Sequence, residues 1–198
     1  MSDQELWVVR HGETEWSAIG RHTSWTELDL TAEGEKEALA VRAALQAAKF
    51  TLVLSSPRRR TVRTAELVGF CPEIDDDLEE WGYGSFEGLT TEEIRQHYPG
   101  WTIWDGPWPD GEQPAEVAAR ADRVVGRVLA LPAGTAALAF AHGHILRVVA
   151  ARWLARPPGD GRLLKLGTGT VGVLGWEHGE RAVTHWNVPG RLPFPPGA

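Results

Sequence analysis

Residues 6–12 read Leu-Trp-Val-Val-Arg-His-Gly: four apolar side chains in a row, then a guanidinium, an imidazole and a glycine. A run this short and evenly apolar is the pattern of a strand buried on both faces, as in a parallel sheet. The polar triplet marks the strand's carboxyl end. Two more runs follow the same plan. Residues 51–54 precede Ser55-Ser56-Pro57-Arg58-Arg59-Arg60, and residues 136–141 precede His142-Gly143-His144. Helix signals lie between the runs. Thr31 can cap a helix whose Ala38, Val41, Leu45 and Ala48 form one stripe. Ser56-Pro57 predicts another start, with serine as N-cap and proline in the first position. Pro114 opens a third helix with Val117, Ala121, Val124 and Val128 on one face, and Ile145, Val148 and Val149 mark a fourth. Residues 171–176 and 181–186, parted by His178-Gly179, predict a hairpin. Strands alternating with helices imply an α/β fold: a three-layer sandwich with a mainly parallel sheet and helices on both faces.

Length and composition bound the rest. The chain has 198 residues, and 27 acidic against 20 basic ones leave a formal charge of −7. That size fits a single domain over residues 1–198, with a core of useful size. A composition 42% apolar and 24% charged is that of a folded globule. The acidic balance argues against a nucleic-acid partner, whose footprint would be basic. One cysteine, Cys71, excludes an internal disulfide and a multi-cysteine zinc site. The most apolar stretch, 135–155, is broken by His142, His144, Arg147 and Arg152, so no membrane partner is expected. Residues 1–5 lack the basic-then-apolar order of a signal peptide, and the expected location is the cytoplasm. The proline-rich tail, 189–198, is expected to run loose.

In a sheet of this kind ligands bind beyond the carboxyl ends of the strands. Arg10 and His11, Ser56 with the three arginines, and His142 all fall there. Guanidinium groups grip phosphate through paired donors, and free helix N–H groups favour an anion. A basic pocket inside an acidic protein suits an enzyme that acts on phosphate esters. Taken singly, an arginine triplet is usually a solvated face and a lone histidine a structural one; their gathering at three strand ends weighs against that. The His-Gly-His spacing lacks the carboxylate of helical zinc signatures, so no metal is expected.

The segment 6–14 resembles the Arg-His-Gly signature of the histidine phosphatase superfamily, the phosphoglycerate mutase-like proteins. Four further segments resemble that family in the same order. Residues 26–34 are similar to its Trp-x-Asp-x-x-Leu-Thr-x-x-Gly stretch. Residues 55–65 are similar to its Ser-x-x-x-Arg-Ala-x-x-Thr-Ala helix, which registers the catalytic arginine on Arg60 rather than Arg58. Residues 78–88 carry the family's acid, which falls on Glu80, with Glu79 as runner-up. Residues 141–147 hold its second histidine, His142. The resemblance implies that His11 attacks phosphorus and becomes phosphohistidine. Arg10, Arg60 and His142 would hold the transferring oxygens, and Glu80 would exchange protons with the leaving alkoxide and then with water. It implies no cofactor and no metal, because fixed cations supply the electrostatics. A small phosphorylated metabolite is the implied partner.

Some positions depart from the family pattern. Ser17 stands where asparagine is frequent, and Ser24 where many mutases have glycine. Ser17, Thr23 and His144 are kept as substrate-binding candidates, His144 with core packing as the alternative. Six of the eight residues in 73–80 are acidic; 73–77 is expected to be a solvated loop. The insertion at about 90–114, a short cap with a helix at 91–97 and Trp101, Trp104 and Trp108, is smaller than that of classical mutases and favours a phosphatase. The details are similar to the sugar-bisphosphatase branch that includes sedoheptulose bisphosphatase, and to short actinobacterial acid phosphatases. The cap tryptophans suit an apolar pocket wall or plain core packing, and Glu112 either orients the cap or opens the next helix. A phosphoglycerate mutase and a silent phosphate-binding protein remain as alternatives. Gly167-Thr168-Gly169-Thr170-Val171-Gly172 fits a dinucleotide fingerprint only in letters, since a strand is expected to follow where a helix is needed. Tryptophans on hairpin and cap leave room for a homodimer.

Overall fold

The structure, a computed structural model, describes residues 4–190. The run at 6–9 lies within strand β1 (Glu5–Arg10), and its neighbour β4 (Ala136–Ala141) runs parallel to it. Both are buried on two faces. Leu6 and Val8 join one core cluster with Ala137, Ala139 and Ala141, whereas Trp7 and Val9 join a second with Leu138 and Phe140. That division is why neither strand shows polar alternation. The sheet has six strands in the order β3-β2-β4-β1-β5-β6. β2 (Leu52–Ser55) and the short β3 (Glu73–Ile74) extend the parallel part, and β5 (Thr170–Glu177) with β6 (Glu180–Pro189) form an antiparallel hairpin.

Six α-helices accompany the sheet among the described residues. A single turn, α1 (Glu15–Ala18), follows β1. On one face lie α2 (Ala32–Ala47) and α3 (Arg59–Val68), which bring Val41, Leu45, Ala65 and Val68 onto Trp7 and Phe140. α4 (Thr91–His97) belongs to the cap. On the other face α5 (Pro114–Leu129) and α6 (Gly143–Trp153) bring Val117, Val124, Ile145 and Val149 onto Leu6 and Val8. Each such aliphatic side chain contributes about 1.5–3 kcal/mol on burial. Thr31 caps α2 by accepting the Gly34 N–H at 3.0 Å, as its position before the stripe predicts.

Two expectations need correction. α3 starts at Arg59 with Arg58 as N-cap, not at Ser56-Pro57. Ser56 directly follows the end of β2; its N–H donates to Phe140 O, and its hydroxyl belongs to the site described below. The acidic run 73–77 is solvated as expected, with Glu73, Ile74 and Asp76 exposed, but it is not a plain loop. Glu73 and Ile74 form β3, and Arg127 pairs with Glu73 and Asp75 while Arg123 pairs with Asp77. Of the tail, Pro189 pairs with Thr170 at the end of β6, and residues 191–198 lie outside the described residues. No helix among the described residues is long and apolar enough to cross a membrane.

The cap rests on the α5–α6 side. Trp81 and Trp101 are buried in the core, Trp81 against Trp104 and Trp108 at ring centroids of 5.8 and 6.4 Å. Glu112 takes both forks of Arg120 at 2.7 Å and the Gly82 N–H at 3.2 Å, so it orients the loop that bears Glu80.

Candidate active site

Strand register assembles the site. Arg10 is level with Ala141, and Ser55 with Phe140. The next residues, His11, His142 and Ser56, therefore leave the sheet side by side. His11 N–H donates to Ala141 O at 3.0 Å, and the two imidazoles meet edge to face with centroids 5.2 Å apart.

His11 is 5% exposed, and its Nδ1 lies 2.8 Å from Gly12 O. A carbonyl only accepts, so Nδ1 carries the proton and Nε2 keeps a lone pair. Burial, then the charges of Arg60 and Arg10, hold the imidazole well below the usual histidine range, so it is neutral at physiological pH. His142 is neutral for the same first reason, with Arg60 next. Its Nδ1 accepts from Arg60 Nε at 3.2 Å, which leaves Nε2–H to donate to Ser56 Oγ at 2.8 Å.

Arg60 is fully buried at the start of α3. Beyond His142 its guanidinium donates to Thr26 O and Ser24 O at 2.9 Å and to Thr23 O at 3.4 Å. The same loop is held from the other side by Glu87, which accepts the N–H groups of Ser24 and Thr26 and the Ser24 hydroxyl. Arg10 donates from Nη1 to Leu166 O at 2.7 Å. Its buried Nε has no hydrogen-bond partner among the described residues. A charged donor left so costs about 1–3 kcal/mol or more, and it marks a place for an anionic acceptor.

Glu80 faces the N-terminus of α6. Oε1 accepts from Trp81 N and Ile145 N at 2.9 and 2.8 Å, and Oε2 from His144 N at 2.9 Å. Oε2 also lies 3.9 Å from His144 Nδ1. Its neighbour Glu79 is instead paired with Arg58 at 2.6 Å.

A family model described as the histidine phosphatase superfamily (branch 1) matches residues 6–189. The chain belongs to that superfamily. It is 39% identical over 191 residues to the acid phosphatase of Mycobacterium tuberculosis, covering 95% of this chain and 94% of that one. It is 34% identical over 178 residues to the sedoheptulose 1,7-bisphosphatase of Saccharomyces cerevisiae, covering 74% and 66%. A solved structure from Mycobacterium tuberculosis, that of the open reading frame Rv3214, superposes with a TM-score of 0.91 at 39% identity, covering 95% and 99%. This histidine phosphatase is a phosphoric monoester hydrolase.

The remaining sequence candidates fall as follows. Ser17 is the third residue of α1, and its hydroxyl accepts Thr14 N–H at 2.8 Å and donates to Thr14 O at 3.0 Å, so it closes a capping box rather than facing outward. Thr23 donates to Arg21 O at 3.1 Å, while its carbonyl serves Arg60. His144 Nδ1 lies 2.6 Å from the Tyr83 hydroxyl, and its ring meets those of Trp104 and His22 at 5.4 and 6.0 Å. The two histidines of His-Gly-His thus have different partners. Ser56, placed at a strand end by the sequence, joins this network through His142, and Tyr83 and Glu87 join it without having been named as site candidates. Both lie within 78–88, the segment that carries Glu80.

Proposed function

We propose that this phosphatase hydrolyses small phosphate monoesters, sugar phosphates or bisphosphates being the substrate class, through a phosphohistidine on His11. The observation that carries the reading is a buried imidazole whose Nδ1 proton is fixed on Gly12 O, beside the unpartnered buried Nε of Arg10. A nucleophile must offer a lone pair, and the transferring phosphoryl group must find cations already in place.

Nε2 of His11 attacks phosphorus, the P–N bond forms, and the bond to the leaving oxygen breaks with its electron pair. Arg10 Nε and the Nε2–H of His142, turned from Ser56 Oγ, donate to the phosphoryl oxygens. As the general acid, Glu80 brings a proton into the complex on Oε2. That proton passes from Oε2 to the leaving alkoxide. Glu80 then takes one from water, whose oxygen attacks phosphorus and releases His11 with inorganic phosphate.

The test is phosphate release from a panel of sugar mono- and bisphosphates, phosphoglycerates and p-nitrophenyl phosphate, with His11→Ala as control. The expected result is turnover of a sugar phosphate above the rest and none by His11→Ala. Interconversion of 3- and 2-phosphoglycerate with little phosphate release would make the protein a mutase. Full activity of His11→Ala would remove the phosphohistidine.

A further inference from the structure

The glycine-threonine run at 167–170 leads into strand β5, as the sequence predicts, and its turn reaches the nucleophile. Gly169 N–H is shared between Arg10 O at 3.2 Å and His11 O at 3.1 Å. Leu166 O, just before the turn, accepts from Arg10 Nη1. The turn is held internally by Thr170 Oγ1 on Gly167 O at 2.8 Å, and to β6 by Gly167 N–H on Asn187 Oδ1 at 2.7 Å.

One side chain joins this turn to the nucleophile's own loop. Glu37, on α2, accepts Glu13 N–H at Oε2, 2.8 Å away, and the Thr168 hydroxyl at Oε1, 3.0 Å away. Contact is close: Gly169 has a φ of +58°, and a Cβ there would stand 2.4 Å from Glu37 Cβ. The carboxylate thus holds the chain two residues beyond His11 and, through Thr168, the turn that grips His11 and Arg10 from behind. Hydrogen bonds to a carboxylate are about twice as strong as neutral ones, which suits a fixed anchor.

We infer that Glu37 is a positioning residue: it sets where the His11 imidazole and the Arg10 guanidinium stand relative to the phosphoryl group, without touching substrate. The inference rests on the phosphohistidine reading above. A nucleophile held loosely loses rate more than affinity, since misplacement by about 1 Å can cost on the order of 100-fold. Glutamine at 37 still accepts Glu13 N–H through its amide oxygen and can donate to Thr168 Oγ1. Alanine can do neither.

The experiment compares wild type, Glu37→Gln, Glu37→Ala, Thr168→Val and Thr168→Ser. It measures kcat and KM on p-nitrophenyl phosphate, the affinity for inorganic phosphate, and the rate at which radioactive phosphate label appears on His11. Glu37→Ala is expected to lower kcat and the labelling rate by about 10- to 100-fold, with KM and phosphate affinity within about threefold. Glu37→Gln and Thr168→Ser should restore most of the rate. Thr168→Val removes a single contact, and should show the same split more weakly even if Glu37→Ala fails to fold. Wild-type labelling rates in Thr168→Val and in any folded Glu37→Ala would overturn the inference. So would a loss confined to KM, or a Glu37→Gln no better than alanine. A wild type that turns over but takes no label on His11 would instead overturn the phosphohistidine reading, and this inference with it.

Discussion

Gly34→Ala and Gly126→Ala make the same chemical change in two helices, and the structure assigns them opposite outcomes. Gly126 lies within α5, exposed, with nothing within 4 Å of an added Cβ. Alanine there gains about 1 kcal/mol of helix propensity, or about 2–4 °C in Tm for a chain of this size. Gly34, in the first turn of α2, gains the same propensity and meets a wall. Its Cβ would stand 2.1 Å from Glu13 O and 2.6 Å from Glu13 N. Gly12 faces the same contact from the other side, 2.1 Å from Gly34 O. Ordinary contact begins at 3.4 Å, so the two backbones must part by about 1.3 Å. α2 is pinned on the sheet by Val41 and Leu45, so the loop carrying His11 has to give. Overpacking of this kind costs about 1–3 kcal/mol, which outweighs the propensity gain. A shift of that size in the nucleophile's loop should lower kcat about 100-fold. Thermal unfolding by circular dichroism and steady-state kinetics on p-nitrophenyl phosphate read both quantities. A Gly34→Ala protein with raised Tm and wild-type kcat would refute the claim that α2 sets the loop's position.

Three other outcomes follow from the same geometry. Glu80→Gln has no acidic proton to give, so alkyl phosphates should slow by about 100-fold or more, and p-nitrophenyl phosphate far less because its leaving group needs little protonation. Equal slowing would take the proton-transfer role from Glu80. Arg60→Lys keeps the charge but cannot span His142 and the carbonyls of Thr23, Ser24 and Thr26, so the urea midpoint should fall by the equivalent of at least about 2 kcal/mol. An unchanged midpoint would show that the 23–26 loop does not depend on the fork. Burial lowers the His22 pKa to about 4. Folded His22 therefore stays neutral where the unfolded chain, with its value of 6.5, takes up a proton. Stability should be complete above pH 6.5 and fall by about 3 kcal/mol as pH drops toward 4. His22→Asn should lack that part of the acid slope in urea titrations at pH 4.5, 5.5 and 7.5; an identical slope would refute it.

The layers of the fold were legible because burial on both faces prints a continuous apolar run, and burial on one face of a helix prints a 3.6-residue stripe. Leu6 to Val9 and Val117 to Val128 are such prints. The start of α3 was not legible. Ser56-Pro57 has the composition of a helix start, but Ser56 N–H is held by Phe140 O and its hydroxyl by His142, both remote in sequence. The acidic run misled for a like reason: its partners Arg123 and Arg127 stand on α5, 46 to 54 residues away. Ser17 shows the converse. Thr14 and Ser17 have the spacing of a capping box, so the bonds of the Ser17 hydroxyl to Thr14 were readable from sequence alone.

The start of α6 explains why so much of the site could be found from one short segment. His142 is its N-cap, His144 its second residue, and the N–H groups of His144 and Ile145 hold Glu80. A helix N-terminus has free N–H groups and a partial positive charge, so it fixes a carboxylate without a counter-ion. Arg10 lies against Gly143, where a Cβ would stand 3.3 Å from its Cζ, so any larger residue there would push the guanidinium by a few tenths of an ångström. Support for the nucleophile, the carboxylate and the wall formed by His144 and Tyr83 are thus positioned by one turn of backbone. Displacement of that turn would disturb all three together, and side-chain substitutions within it are coupled rather than additive.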